Sequence, residues 1–174
     1  SIWDWAFQRT YSQGTYEGNG INSLQITSTV LETIGRQAFE NQEITSITIP
    51  NGVTSIASSA FYNNKITSIT LPNSLKTLWF AAFSSNRLTS VTIPNSLTSI
   101  GDSTFSNNKL TSITLPNSVT YLGEGAFTSQ DSSNGTVYGP SVLKDYYDSN
   151  TGINPQELHY LFERFDKESL PNYA

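Results

Sequence analysis

Apolar and polar positions repeat along this chain with a period of 22 residues. The most visible members of the pattern are the phenylalanines Phe39, Phe61, Phe83, Phe105 and Phe127. Prolines and several isoleucine or leucine positions keep the same step. Such a period is typical of solenoids, in which each unit is too small to bury its own apolar side and packs against its neighbours. The pattern therefore predicts a stack of units whose surface consists of columns of equivalent residues.

Within one unit, the alternation of polar and apolar residues over 90–93 predicts a half-buried strand. Pro94 ends that strand, since proline has no N–H to donate. Leu97, Ile100 and Phe105 are then expected to return to the core from the connecting segment. Units stacked at roughly 4.8 Å per strand would form a short parallel sheet.

The fold class predicted from this pattern is an α/β or largely irregular solenoid, a right-handed superhelix with one short parallel sheet over residues 21–130. Residues 1–20 are expected to be an aromatic N-terminal cap, with 3–7 as a short helix or the remnant of a preceding unit. Residues 131–174 are expected to be a C-terminal cap with helices at 140–147 and 154–165. A separate small C-terminal domain is the alternative. The amides of Asn64, Asn86 and Asn108 are expected to satisfy backbone groups of the loops.

The repeated pattern L-T-S-(I/V)-T-(I/L)-P-N-S-(L/V)-T-x-(I/L)-G-x-x-(A/T)-F resembles the BspA-like leucine-rich repeats of bacterial and some protozoan surface proteins. The resemblance covers residues 21–127. Many members of that family have a Cys shortly after the Phe, where this chain has Ser or Asn. The asparagine column of general leucine-rich repeats holds Gly52, Ser74, Ser96 and Ser118 here. The resemblance implies an open, curved parallel sheet, an extracellular adhesion or binding role, and no catalytic residues.

Composition narrows the classes of function. Only 13 % of the residues are charged, and residues 44–123 carry four dispersed bases against one acid, which is unlike the dense basic surface of a nucleic-acid binder. The chain has no Cys for a disulfide or thiolate site, and no apolar run long enough to insert into a membrane. It begins at Ser1 without a basic, apolar leader, which suggests a mature or trimmed fragment.

No set of residues indicates catalysis, a cofactor or a metal. His159 is the only histidine, and it is best interpreted as an exposed residue of the C-terminal helix. Asp148, Asn150 and Asn154 faintly suggest calcium, but they lack the ligand run of an EF-hand, so a turn is the better interpretation. We therefore expect a protein that is not an enzyme.

The solvent-facing strand positions form columns of hydroxyl residues that are candidates for a ligand-binding concave face. These positions are Ser46, Thr48, Ser68, Thr70, Ser90, Thr92, Ser112 and Thr114, with Thr45, Thr67, Thr89 and Thr111 beside them. The columns could recognise a glycan or an extended protein segment. They could also order ice, although curvature argues against ice binding. The remaining alternative is that Ser and Thr suit exposed strand positions and were copied with the repeat.

Residues that depart from the repeat are a second group of candidates for contact with a partner. Trp79 and Phe80 replace small or polar residues of the other units, so they are candidate interface anchors; alternatively, Trp79 packs over the turn of a neighbouring unit. Lys65, Arg87 and Lys109 form a basic column where the chain enters the strands, which suits either a solvated rim or an acidic partner.

The function expected from the sequence is a non-enzymatic adhesion module of a secreted or cell-surface bacterial protein. Its expected partner is a protein or glycan of a host or neighbouring cell, bound by a monomeric module of a larger protein. A spacer that displays other domains is the main alternative, and a carbohydrate-active enzyme is a remote one.

Overall fold

The computed structural model describes residue 2 and residues 11–12, 15–16, 23–26, 30–130 and 136–139. The strands there are β1 (Tyr11–Ser12), β2 (Thr15–Tyr16), β3 (Ser23–Gln25), β4 (Thr33–Ile34), β5 (Ser46–Thr48), β6 (Ser55–Ile56), β7 (Ser68–Thr70), β8 (Thr77–Leu78), β9 (Ser90–Thr92), β10 (Ser99–Ile100), β11 (Ser112–Thr114), β12 (Tyr121–Leu122) and β13 (Thr136–Tyr138). No helix occurs among these residues. They form a β-solenoid with a 22-residue step, as the periodicity predicted.

The predicted strands form the first of two ladders. Strands β3, β5, β7 and β9 pair in parallel in that order, and β11 lies beside β9 and pairs in parallel with β13. From β5 to β9 each residue pairs with the residue 22 positions later, as in Ser46 with Ser68. The β3–β5 step is 23 residues, since Ser23 pairs with Ser46. The first unit is thus one residue longer than the units that follow it.

A second parallel ladder was not predicted. It has the order β4-β6-β8-β10-β12 and uses two residues from each unit, such as Ser55 and Ile56. The prediction of one sheet was therefore wrong. A pair of residues is too short to show the alternation that reveals a strand in sequence. Ile2 extends this ladder at its first edge, with its N–H bonded to Thr33 O (2.9 Å) and its carbonyl accepting from Gly35 N–H (2.8 Å).

The phenylalanine column is a continuous stack through the centre of the coil. Successive rings from Phe39 to Phe127 lie 5.2–5.8 Å apart between centroids, with interplanar angles of 3–7°. Phe61, Phe83 and Phe105 are fully buried, as are the Ile and Leu columns beside them. Because each ring is covered mainly by the rings of adjacent units, the core belongs to the stack and not to any single unit.

Backbone geometry explains why the connections are turns where an α/β class was expected. Each unit has two residues in the left-handed region, four positions apart, with φ between 52° and 63°, and the first unit has a third, Glu43, with φ of 68°. The first column is Gln37, Ser59, Ala81, Ser103 and Gly125, and the second is Asn41, Asn63, Ser85, Asn107 and Ser129. Three residues between two left-handed positions cannot form an α-helix. The second column holds Asn and Ser, and Asn tolerates this conformation better than most residues.

The predicted C-terminal helices at 140–147 and 154–165 lie outside the described residues, as does the segment 3–7. Of the N-terminal cap, the structure describes Ile2 at the ladder edge and an antiparallel hairpin of β1 and β2, in which Tyr11 pairs with Tyr16.

Candidate functional site

The hydroxyl residues singled out in the sequence lie together on the outer side of the first ladder, and we call this surface the hydroxyl face. Each strand presents two of them to solvent and turns the residue between them inward, as Ser68 and Thr70 flank the buried Ile69. The eight residues, all exposed, are Ser46, Thr48, Ser68, Thr70, Ser90, Thr92, Ser112 and Thr114. The alternation in sequence therefore predicted their orientation correctly.

A shallow depression of about 310 Å³ lies over the first three strands of this face. Its lining consists of Ser23, Leu24, Gln25, Ser46, Ile47, Thr48, Ser68, Ile69 and Thr70. Gln25 pairs with Thr48 and so adds an amide to the threonine column. No charged side chain lines the depression.

Among the described residues, the eight hydroxyl groups make no hydrogen bond to the protein. Each hydroxyl group has one donor and two acceptor positions, and these remain available to a ligand or to water. Equivalent residues on neighbouring strands are roughly 4.8 Å apart, and the two hydroxyl residues of one strand are roughly 7 Å apart. The face is therefore a regular grid of neutral groups that can each donate or accept.

The edge where the chain enters the strands has a different character. Lys65 Nζ lies 3.4 Å from Glu43 Oε2, with both side chains about half exposed, so the predicted basic column includes an acid in the first unit. Asn63 Nδ2 donates to Asn41 Oδ1 (2.7 Å). A second depression of about 300 Å³ lies along this edge, lined by Asn41, Glu43, Asn63, Asn64, Lys65, Ser85, Asn86, Arg87 and Asn107.

Buried amides behind this edge confirm the role predicted for the asparagine column. Asn86 Oδ1 accepts from Ile66 N–H (3.1 Å), while its Nδ2 donates to Phe61 O (2.9 Å) and Phe83 O (3.1 Å). Asn64 and Asn108 repeat the arrangement one unit away on either side. Gln130 takes the same place in the fifth unit. The amides fix the position of each loop relative to the adjacent units, which keeps the strands of the hydroxyl face in register.

Trp79 and Phe80 lie elsewhere, immediately after β8 in the second ladder. They are 53 % and 54 % exposed, and the indole N–H of Trp79 donates to Ser55 Oγ of the preceding unit (3.0 Å). The indole thus contacts the preceding unit, as the alternative interpretation of Trp79 proposed, and the role of interface anchor stays a prediction. The pair does not join the hydroxyl face.

Sequence reasoning missed Tyr121, a third exposed aromatic residue on the second-ladder side. It stands in the column that holds Thr33, Ser55, Thr77 and Ser99 in the other units. Its hydroxyl donates to Asp102 Oδ1 (3.4 Å). Comparing equivalent positions, which identified Trp79, would also have identified Tyr121.

The described residues contain no group of three or more His, Cys, Asp or Glu residues able to hold a metal ion. His159, Asp148, Asn150 and Asn154 lie outside that part of the chain. No helix of a length and hydrophobicity suited to crossing a membrane occurs in the described part of the chain.

Comparisons with known proteins agree with this architecture. The family model for the BspA type leucine rich repeat region matches residues 9–134 in six copies. A leucine-rich repeat protein from Bacteroides ovatus is similar at 29 % identity and a TM-score of 0.55, covering 76 % of this chain and 41 % of that one. A leucine-rich repeat protein from Eubacterium ventriosum is similar in fold at 24 % identity and a TM-score of 0.58, covering 71 % and 33 %. The chain thus spans less than half the length of either structure. No curated protein matches it.

Proposed function

The chain belongs to the BspA-type leucine-rich repeat family, and on that basis we propose that it is a non-enzymatic binding module whose ligand lies on the hydroxyl face. The observation that carries the proposal is the grid of eight exposed hydroxyls with no hydrogen bond to the described protein. Leucine-rich repeat proteins of bacteria generally mediate protein interaction or surface display, which agrees with this role.

The chemistry of the face indicates what kind of ligand fits. Its strand positions carry no charge, so an uncharged stretch of glycan or of extended protein suits it better than a strongly ionic one. The depression is shallow and runs across strands Ser23–Gln25, Ser46–Thr48 and Ser68–Thr70. An extended ligand can contact several units at once, whereas a compact small molecule would leave most of its surface in water. Binding at this face should therefore change little with salt.

The place of action that we propose is the bacterial cell surface or the extracellular medium. The family match supports this location, and low charge with abundant Ser and Thr is consistent with it. The partner would be a protein or glycan of a host or neighbouring cell. Protease treatment of intact source cells, followed by immunodetection, checks the location: an epitope that survives treatment of intact cells but not of lysed cells would contradict it.

The binding role is tested with the double variant Thr70→Lys/Thr92→Lys, which places two cations in the centre of the face. Arrays of glycans and of host surface proteins are probed with wild type and variant, and each ligand found with wild type should bind the variant at least about tenfold more weakly. The matched control is Thr98→Lys/Thr120→Lys. Its column on the second-ladder side already contains the exposed Lys76, and it should bind like wild type.

Equal loss in both double variants would indicate a non-specific effect of charge and would contradict the assignment of the face. A wild-type chain that binds nothing on either array would instead support the spacer function, in which the solenoid only displays other domains. Thermal hysteresis measured on wild type checks ice binding separately.

A further inference from the structure

A second surface column breaks the repeat in an ordered way. It consists of Arg36, Ser58, Phe80, Asp102 and Glu124, one residue from each of five units, and we call it the outer column. Backbone hydrogen bonds fix its order, because the carbonyls of Ser58, Phe80, Asp102 and Glu124 each accept from the residue that follows the column in the preceding unit (2.8–3.0 Å). Neighbouring members are therefore separated by roughly one strand spacing, about 4.8 Å.

The centre of the column is an exposed apolar patch. Phe80 and the adjacent Trp79 are both more than half exposed. The positions equivalent to Trp79 in the next two units are Gly101 and Gly123, where a Cβ would meet backbone atoms at 2.8 Å and 2.2 Å respectively. The column of Trp79 therefore has no side chain in the next two units, and the Asp102 side chain lies against Gly123. Few large hydrophobic residues are exposed within the described ranges, so an exposed aromatic pair among them indicates a contact surface.

Charge changes sign from one end of the outer column to the other. Arg36 stands two units before Phe80, and Glu124 stands two units after it, so each lies about 10 Å from the ring at the strand spacing given above. Asp102 lies between Phe80 and Glu124, and its Oδ1 accepts from Glu124 N–H (2.9 Å). Ser58 occupies the matching place on the Arg36 side. From Arg36 to Glu124, the residues of the column are therefore basic, neutral, aromatic, acidic and acidic.

We propose that the outer column is a self-association surface, occupied by the outer column of a second copy of this chain running antiparallel to it. A two-fold axis through Phe80 brings a point two units before the ring opposite a point two units after it in the other copy. Arg36 then faces Glu124 of the second copy, Ser58 faces Asp102, and the two Phe80 rings meet at the axis. Each charged contact occurs twice, as the symmetry of an isologous interface requires.

Arg36 and Ser58 have the hydrogen-bond donors that these contacts require. Arg36 is exposed and already takes part in an interaction within its own chain. A guanidinium has five N–H donors, so it can bind a carboxylate of the second copy without giving up its present partner. The hydroxyl of Ser58 can donate to the Asp102 carboxylate.

A second copy explains the column better than an unrelated partner does. A heterologous partner would impose no relation between the two ends of the column, whereas a two-fold axis pairs those ends with each other, and the residues there, Arg36 and Glu124, carry opposite charges. The column spans only about 19 Å, so the interface belongs to the small, transient class, below about 1,200 Å² in total. We therefore expect a weak dimer with a Kd of about 0.1–1 mM.

Sedimentation equilibrium tests the proposal on the full chain between about 10 µM and about 1 mM at low salt. The average mass should rise from the monomer value of 19.2 kDa toward twice that value, and it should rise less at about 0.5 M salt. Arg36→Glu and Glu124→Arg should each weaken association about tenfold, since each creates two like-charge contacts. The double variant Arg36→Glu/Glu124→Arg should restore it. Phe80→Ser should abolish it.

The matched control is Arg87→Glu, the same change of charge at an exposed position on the strand-entry edge, which should leave association unchanged. A wild-type chain that stays monomeric to about 1 mM overturns the proposal. So does a dimer that survives Phe80→Ser or is not restored by the double charge swap, since its interface would lie elsewhere. Phe80→Ser should leave ligand binding at the hydroxyl face intact, so the outcome is independent of the proposed function.

Discussion

Replacing Asn86 with alanine removes one step of the buried amide ladder, and the structure allows the cost to be worked out bond by bond. Asn86 is 7 % exposed. Its side chain accepts from Ile66 N–H and donates to the carbonyls of Phe61, Phe83 and Ser84. It therefore joins two consecutive units through four hydrogen bonds.

The four bonds do not cost the same when they are lost. Phe61 O still accepts from Asn64 Nδ2, and Phe83 O still accepts from Asn108 Nδ2, so each carbonyl keeps one amide donor. Ile66 N–H has no other acceptor among the described residues and becomes a buried donor without a partner. A buried unsatisfied group costs about 1–3 kcal/mol and each weakened carbonyl bond about 0.5–1.5 kcal/mol. We expect Asn86→Ala to lower the free energy of unfolding by about 3–5 kcal/mol.

Urea denaturation followed by circular dichroism measures this loss, and amide hydrogen exchange locates it at Ile66 N–H. The matched control is Asn95→Ala, the same chemical change at an exposed turn residue with no side-chain hydrogen bond in the described structure. It should change stability by less than about 0.5 kcal/mol. If the two variants are equally stable, or if exchange at Ile66 is not faster in Asn86→Ala, the ladder does not hold the units together.

Asn86→Asp keeps the shape of the side chain and removes its N–H donors. A carboxylate at this position faces three carbonyl oxygens, and burial with this repulsion raises its pKa in the folded state above the unfolded value of about 3.9. A raised folded pKa contributes stability that is present below the unfolded pKa and is lost as pH rises through the folded pKa. The variant should thus be closer to wild type at pH near 4 than at pH 7, and the opposite order would refute the assignment of Nδ2 as the donor.

Four further changes test the core and the turns. Phe83→Ala should cost about 3–5 kcal/mol in urea denaturation, because it opens a gap in the middle of the ring stack; a loss below about 1 kcal/mol would mean that neighbouring units close the gap. Gly125→Ala should lower stability in a thermal melt by about 1 kcal/mol, because φ there is 63°; an unchanged melting temperature would contradict this. Ser96→Ala removes a 2.7 Å hydrogen bond to Leu75 O and should lower the free energy of unfolding by about 1 kcal/mol. Ser118→Ala should be neutral or stabilising, because that buried hydroxyl has no partner within the described structure. Equal effects of the two serine changes would count against a stabilising role of the Ser96 hydrogen bond.

Periodicity was sufficient to predict the parts of the fold that depend on contacts between equivalent residues. A phenylalanine every 22 residues can be buried in a stack only if equivalent rings meet, and they do. The inward and outward positions of the first ladder followed from simple alternation. The amide column could be predicted because a short amide that recurs just before each strand can satisfy the backbone groups of the loop that enters it.

The second ladder could not be predicted in the same way. Its strands have two residues each, such as Ser99 and Ile100, and contribute only one buried side chain per unit. The left-handed positions were also invisible, since the first column contains Gln, Ser and Ala as well as Gly. There the hydrogen bonds of neighbouring units, such as Ala81 N–H to Asp102 O, impose a conformation that the residue itself does not prefer.

The two exposed surfaces differ in what repetition allows them to do. On the hydroxyl face each unit offers the same pair of groups, so a ligand shifted by one unit meets nearly the same contacts. Such a face suits a repetitive or extended ligand and gains affinity from the number of units in contact. The outer column contains Phe80 once, so a shift of one unit separates the two Phe80 rings and places each ring opposite Ser58 or Asp102 of the other copy. Such a column selects a single register, which a defined partner needs and a repetitive ligand does not. A solenoid that keeps one column constant while another varies can thus combine an adaptable binding face with a specific contact, because both are built on the same buried stack.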